Sequence, residues 1–275
     1  IFYIPRNGTI INIIAFDLKG NKAIKTIHLQ RKETDENIGP FFEVLNPTGK
    51  IAKVNKNSLA LIVGIAKYEK TSAEAIYADN DAKMFYDYAR FKLGIPTSNI
   101  KELINENAEE SEILLALKDW IGRTSQKGKS DIFIYFAGHG MASQDGENMY
   151  LLPYDGSPRL LEDSAISRNR LFKEVASYQP RSVSVFFDTC FSGSARDNDT
   201  LLSARPVLIV PKEKPIPENF TLFSAAAADQ IAYPLKEVQH GMFSYFLMKG
   251  MEGDADQNND NLITTGELHS YVQSN

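Results

Sequence analysis

The sequence is almost without cysteine: one thiol, Cys190, in 275 residues. A single thiol closes no internal disulfide and builds no thiolate metal site, so neither device organises this chain. Long apolar runs are missing too, none approaching the roughly 18 residues that a membrane span needs. Basic charge is in deficit, with 30 Lys and Arg against 35 Asp and Glu. That argues against a nucleic-acid partner, because phosphate binding needs clustered cations. No signal peptide is visible and the first residue is Ile1 rather than Met, so we read the sequence as a piece of a longer chain. What is present, 43% hydrophobic and 24% charged residues, suits a globular chain with a sizeable core.

Three regions differ in pattern. In residues 1–32, Thr9 to Phe16 is β-branched and apolar, Asp17 to Asn21 supplies turn residues, and Ala23 to Leu29 alternates with period two. That is a β-hairpin, and two strands alone are marginal in water. Residues 33–57, with Pro40, Pro47 and several lysines, read as a linker. From Ser58 to residue 275, strands alternate with helices. Leu59 to Ile65, Asp131 to Ala137, Arg181 to Phe187 and Phe220 to Ser224 are the core strands, and Ile100 to Ile104 is a shorter one. Asp79 to Phe91, Ser111 to Ile121, Leu171 to Tyr178 and Met242 to Met251 have helical spacing. This order predicts an α/β fold with a mostly parallel central sheet flanked by helices. Ligands then bind beyond the carboxyl ends of the strands.

Two buried strands end abruptly in small and polar residues. One runs into Ala137-Gly138-His139-Gly140, the other into Asp188-Thr189-Cys190-Phe191-Ser192-Gly193. If those strands lie near one another, thiol and imidazole meet at one rim. A free thiol of pKa about 8.5 is only a few per cent thiolate at neutral pH. A neighbouring imidazole takes the thiol proton and can later protonate a leaving amine. The backbone amides of Cys190 and Gly140 are candidate donors to the oxyanion, and Gly140 has no side chain to obstruct a carbonyl.

The strand–Gly-His-Gly unit, followed about fifty residues later by strand–Asp-Thr-Cys-Phe-Ser-Gly, resembles the caspase-hemoglobinase fold of the caspase and metacaspase family. It is most similar to bacterial metacaspase-like (orthocaspase-type) proteins, from about Ser58 to the C-terminus. Tyr150-Leu151-Leu152-Pro153-Tyr154-Asp155 and Phe223-Ser224-Ala225-Ala226 extend the similarity. The resemblance implies a cysteine endopeptidase with a Cys190–His139 dyad and a thioester intermediate. It also implies an acidic pocket, mapped onto Asp81 and Asp188, that would bind Arg or Lys at the cleavage site. Asp79 reads as the cap of the helix that carries Asp81, and Asp229 aligns with an acidic loop. Two positions depart from the pattern: Ala137 stands where metacaspases carry Ser, and Phe191 where they usually carry His.

Residues 194–217 read as a long loop, and self-cleavage would fall there, at Arg196, Arg205, Lys212 or Lys214, or in the lysine-containing linker before Ser58. Residues 256–267 match a twelve-residue calcium loop, with oxygen ligands from Asp256, Asn258, Asp260, the Leu262 carbonyl, Thr264 and Glu267. Asn261 takes the position usually held by Gly. The chemistry requires no cofactor; calcium would be structural or activating. His28, His240 and His269 carry no partner pattern, and His240 reads as a helix-start residue.

Polypeptides with Arg or Lys at the cleavage site are the expected partners, without nucleic acid or a membrane span. Oligomeric state is left open. Cytoplasmic and extracytoplasmic settings both remain open, although the hairpin resembles the end of an immunoglobulin-like β-sandwich, which leans outward. Three rival readings also stay open: a catalytically silent binding module, a peptidase with acidic preference, and a calcium-responsive adhesion or scaffolding protein.

Overall fold

The structure is a computed structural model that describes residues 9–16, 22–29, 42–189, 215–225 and 234–275. It has two compact units, Ile1–Glu43 and Val44–Asn275. In the first, β1 (Thr9–Phe16) and β2 (Lys22–Leu29) form an antiparallel hairpin in which Thr9 faces Leu29 and Phe16 faces Lys22.

The second unit follows the expected alternation. In chain order come β3 (Ser58–Gly64), α1 (Ala78–Phe91), β4 (Ile100–Ile104), α2 (Glu110–Leu115), α3 (Ile121–Thr124) and β5 (Asp131–Ala137). Then follow β6 (Gly140–Ala142), β7 (Met149–Leu151), α4 (Leu161–Ser164), β8 (Ile166–Ser167), α5 (Arg168–Ser177) and β9 (Ser182–Asp188). Last come β10 (Phe220–Ser224), β11 (Pro234–Leu235), β12 (His240–Gly241), α6 (Met242–Lys249) and α7 (Thr265–Ser274). A π-helical turn at Ala116–Trp120 joins α2 to α3, and another at Gly250–Asp254 continues α6.

The central sheet has five strands in the order β10-β9-β5-β3-β4, and every pairing in it is parallel. Every residue of β3 is buried, which accounts for its unbroken apolar run. Successive residues of a strand point to opposite faces, and β9 shows the consequence. Phe186 packs against Phe85 of α1 at 5.5 Å between ring centroids, whereas its neighbour Phe187 stacks on Phe172 of α5 at 6.3 Å. Phe85 also stacks on Tyr135 of β5 at 4.3 Å. Helices α1 and α5 thus cover opposite faces, and each side chain of this cluster contributes roughly 1.5–3 kcal/mol by leaving water. Antiparallel β6-β7-β8 form a separate small sheet that the sequence pattern did not announce.

Two local features differ from expectation. Asp79 is not the cap of α1: the N-cap is Tyr77, in the left-handed region at φ 67°, and no side chain caps the turn. Asp79 instead pairs with Lys83 one turn on, at 3.1 Å, so its charge is matched along the helix surface. Residues 44–57, read as linker, belong to the second unit. Their backbone is fastened to the end of α1, with the Ala52 amide on the Phe91 carbonyl at 2.7 Å and the Asn55 amide on the Gly94 carbonyl at 2.8 Å. Polar composition marked a linker, but backbone bonds of this kind need no apolar side chains.

Candidate active site

The register of β5 and β9 decides what meets at the carboxyl rim. Ala137 lies opposite Asp188, and the Gly138 amide extends the ladder to the Asp188 carbonyl at 3.2 Å. His139 therefore leaves one strand where Thr189 leaves its neighbour. Cys190 follows Thr189 directly in the chain but lies outside the described residues, as do Asp229 and the basic residues Arg196, Arg205, Lys212 and Lys214.

His139 is only 3% exposed and is held from three directions. Its ring stacks on Tyr68, with centroids 4.7 Å apart and planes 24° apart. Its amide donates to the Tyr68 hydroxyl at 2.6 Å. Its Nε2 lies 3.0 Å from the Ala73 carbonyl oxygen. A carbonyl can only accept, so Nε2 carries a proton, and in the neutral ring Nδ1 is then the nitrogen with the lone pair. A backbone carbonyl thus fixes the orientation of this ring. Gly138 makes this approach possible, since a Cβ there would sit 2.6 Å from the Tyr68 hydroxyl. Neither Tyr68 nor the Ala73 carbonyl was visible as a partner in sequence, because a tyrosine and a backbone oxygen carry no pattern of their own. Gly140, next along, opens β6 opposite Leu151.

Asp81 and Asp188 are both 0% exposed. Asp81 reaches the rim because Gly64, which ends β3, lets α1 press close: a Cβ at Gly64 would come 2.3 Å from the Ala82 Cβ. Its Oδ2 accepts the Gly241 amide at 3.0 Å, and its Oδ1 faces His240 Nδ1 at 2.7 Å. Asp188 Oδ2 accepts the Ser244 hydroxyl at 2.5 Å. Ser244 has spent its only hydrogen there, so the Tyr135 hydroxyl, also at 2.5 Å, must donate to Ser244. The two carboxylates are thereby joined to positions three residues apart at the start of α6. Asp81, on the Gly241 amide, thereby meets the amino end of that helix.

The 256–267 loop lies elsewhere and satisfies itself. Asp256 accepts the Asn261 amide at 2.9 Å, Asn258 the Asp260 amide at 2.8 Å, and Asp260 the Leu262 amide at 2.8 Å. Asn261 holds φ 67°, the left-handed conformation that its position in the loop demands. Glu267 forms a reciprocal cap with Thr264, and those bonds hold its carboxyl below the usual glutamate range. The oxygen-rich donor set suits calcium. Among the described residues no group of three His, Cys, Asp or Glu side chains is placed to hold a metal.

With this geometry in view, residues 57–274 match the protein family described as Caspase domain. The chain belongs to that family. A caspase domain is a cysteine peptidase, so this chain is a cysteine peptidase acting on polypeptides, by chemistry that needs no cofactor. Among solved structures it is similar to protein GSU0716 from Geobacter sulfurreducens, at 14% identity and a TM-score of 0.54. That match covers 79% of this chain and 88% of the other, and it bears on the fold alone. No curated protein matches the sequence. Among the described residues no helix of this caspase-domain protein is long and apolar enough to cross a membrane.

Proposed function

We propose that this peptidase cuts polypeptides after Arg or Lys, with Cys190 as nucleophile and His139 as its proton-transfer partner. The observation that carries the specificity is the pair of buried carboxylates, Asp81 and Asp188, tied to a single turn of α6. Two carboxylates so held offer a cationic side chain charge-assisted hydrogen bonds in a site shielded from water. A carboxylate accepts up to about four hydrogen bonds, so its bonds to α6 are compatible with a further donor.

The orientation of His139 supports its role. Nδ1 takes the Cys190 proton, and the thiolate adds to the scissile carbonyl carbon. The amides of Gly140 and Cys190 would meet the resulting oxyanion. Collapse breaks the C–N bond while the imidazolium passes its proton to the leaving amine. Water then gives a proton to the same nitrogen and hydrolyses the thioester, which releases the carboxylic acid and the thiol.

Self-processing belongs to the same proposal. A peptidase needs an extended substrate, and residues 51–55 are bonded to the end of α1. That favours the basic residues of 194–217 as the cleaved segment. For the 256–267 loop we propose at most a supporting role for calcium, with no part in the chemistry.

The test is turnover of fluorogenic peptides ending in Arg, Lys or Asp, with Cys190→Ala as the blank. Cleavage after Arg or Lys that disappears in the variant is expected. Cleavage after Asp would overturn the acidic pocket, and no cleavage at all would favour a silent binding module. A Cys190→Ala protein that still accumulates as two fragments would rule out self-processing.

A further inference from the structure

His240 is a buried titratable residue that the reaction does not use. It is 8% exposed, yet its Nδ1 lies 2.7 Å from Asp81. A carboxylate oxygen accepts, so Nδ1 carries a proton and donates to it. Ser244 is 0% exposed and gives its hydrogen to Asp188. His240 and Gly241 form β12, and α6 begins directly after them at Met242, so Ser244 lies in its first turn. Helix α6 therefore begins as a bracket. One arm, His240 with the Gly241 amide, grips the carboxylate from α1; the other, Ser244 backed by Tyr135, grips the carboxylate from β9.

We infer that His240 and Ser244 are specificity-determining positioning residues, which aim Asp81 and Asp188 at the basic side chain of the substrate. This rests on the reading of those two acids as the substrate pocket. A carboxylate on a single torsion can rotate about χ2, and a guanidinium or ammonium binds well only where both acids point inward. Buried donors with fixed rotamers suppress that rotation before the substrate arrives. The competing role is a plain staple that fastens α6 to α1 and β9. A staple alters the amount of folded enzyme, whereas a positioning residue alters KM for basic substrates at each working site.

The experiment compares wild type with His240→Phe, His240→Asn and Ser244→Ala on an Arg-ending peptide. Rates are expressed per active site, titrated with a thiol-directed inhibitor, and Tm is measured alongside. Loss of a hydrogen bond to a charged group predicts a fall in kcat/KM of about 30-fold for His240→Phe, nearly all of it in KM. His240→Asn, whose amide N–H can replace the imidazole N–H, should return to within about 3-fold of wild type. Ser244→Ala should raise KM about 5-fold. Wild type that does not cut after Arg or Lys overturns the pocket reading itself. Wild type that does, with KM unmoved in His240→Phe, overturns this inference and leaves the pocket standing. Should His240→Phe fail to fold, Ser244→Ala decides: an unchanged KM there overturns the inference as well.

Discussion

Asp131 opens β5 and Asp188 closes β9, on neighbouring strands of one sheet but at opposite ends. Both are buried, at 8% and 0% exposure. Their partners differ in kind. Asp131 is met by the Arg181 guanidinium in a two-pronged pair, by the Ser182 hydroxyl at 2.7 Å and by the Asn55 amide at 3.1 Å. Its full charge is matched within the chain by a cation whose side chain is 60% exposed. Asp188 takes the hydroxyl of Ser244, and Asp81, held at the start of the same helix, takes an amide and an imidazole. At the amino end of the sheet the chain answers a carboxylate with its own arginine. At the carboxyl end it holds two carboxylates with hydroxyl, amide and imidazole donors, an arrangement that suits an arginine or lysine brought by a substrate. In the proposed reading the amino end contributes stability and the carboxyl end recognition, although both use the same functional group.

Exchanging the two roles is the sharpest way to break that comparison. Asp188→Asn should lower kcat/KM on an Arg-ending peptide by about 100-fold, through loss of a charge-assisted contact, with Tm within about 2 °C of wild type. Asp131→Asn should do the reverse. It keeps activity per folded molecule but costs about 1–3 kcal/mol, or roughly 2–4 °C of Tm per kcal/mol in a domain of this size. Should Asp131→Asn lose turnover at unchanged Tm, the division between the ends would fall.

The pH dependence of stability sharpens it further. Burial alone would push the Asp131 carboxyl up, but the hydrogen bonds from Arg181 and Ser182 win and hold it below its ordinary value of 3.8. A depressed folded value means that the stabilisation is present above 3.8 and is lost as pH falls through the lower folded value. Urea midpoints between pH 5 and about 2 should therefore fall more steeply for wild type than for Asp131→Asn. Parallel curves would remove Asp131 from the acid limb.

Smaller effects test the rim. Tyr68→Phe keeps the ring on His139 but removes the hydroxyl that receives its amide, so kcat should fall about 3–10-fold with KM little changed. A rise in KM at unchanged kcat would mean that Tyr68 serves substrate binding instead. The smallest expected change is calcium's. With Glu267 committed to Thr264, addition of 1 mM calcium should raise Tm by less than about 1 °C. A rise of several degrees would show that Glu267 gives up the cap for the ion.

How legible the fold was varied with the kind of signal. The strands Leu59 to Ile65 and Asp131 to Ala137 could be read as buried on both faces because no polar residue interrupts their apolar runs. The helix from Asp79 to Phe91 was legible from its spacing to within one residue, but its cap was not, since Tyr77 starts it in a conformation that no capping rule selects. The three-stranded β6-β7-β8 sheet escaped notice because strands of two or three residues are too short to express a period.

For the candidate site, sequence by itself determined which chemistry-bearing residues follow which strands: His139 after one apolar run, Asp188 at the end of another. Side-chain alternation and turn chemistry are local, so one stretch of chain suffices to read them. Tertiary structure alone decided that β5 and β9 are neighbours, that Ala73 offers its carbonyl to His139, and that His240 reaches Asp81 from 159 residues away. Those choices depend on which surfaces pack when the sheet closes. A histidine or a backbone oxygen bears no mark of its partner until packing has removed the water that would otherwise occupy it.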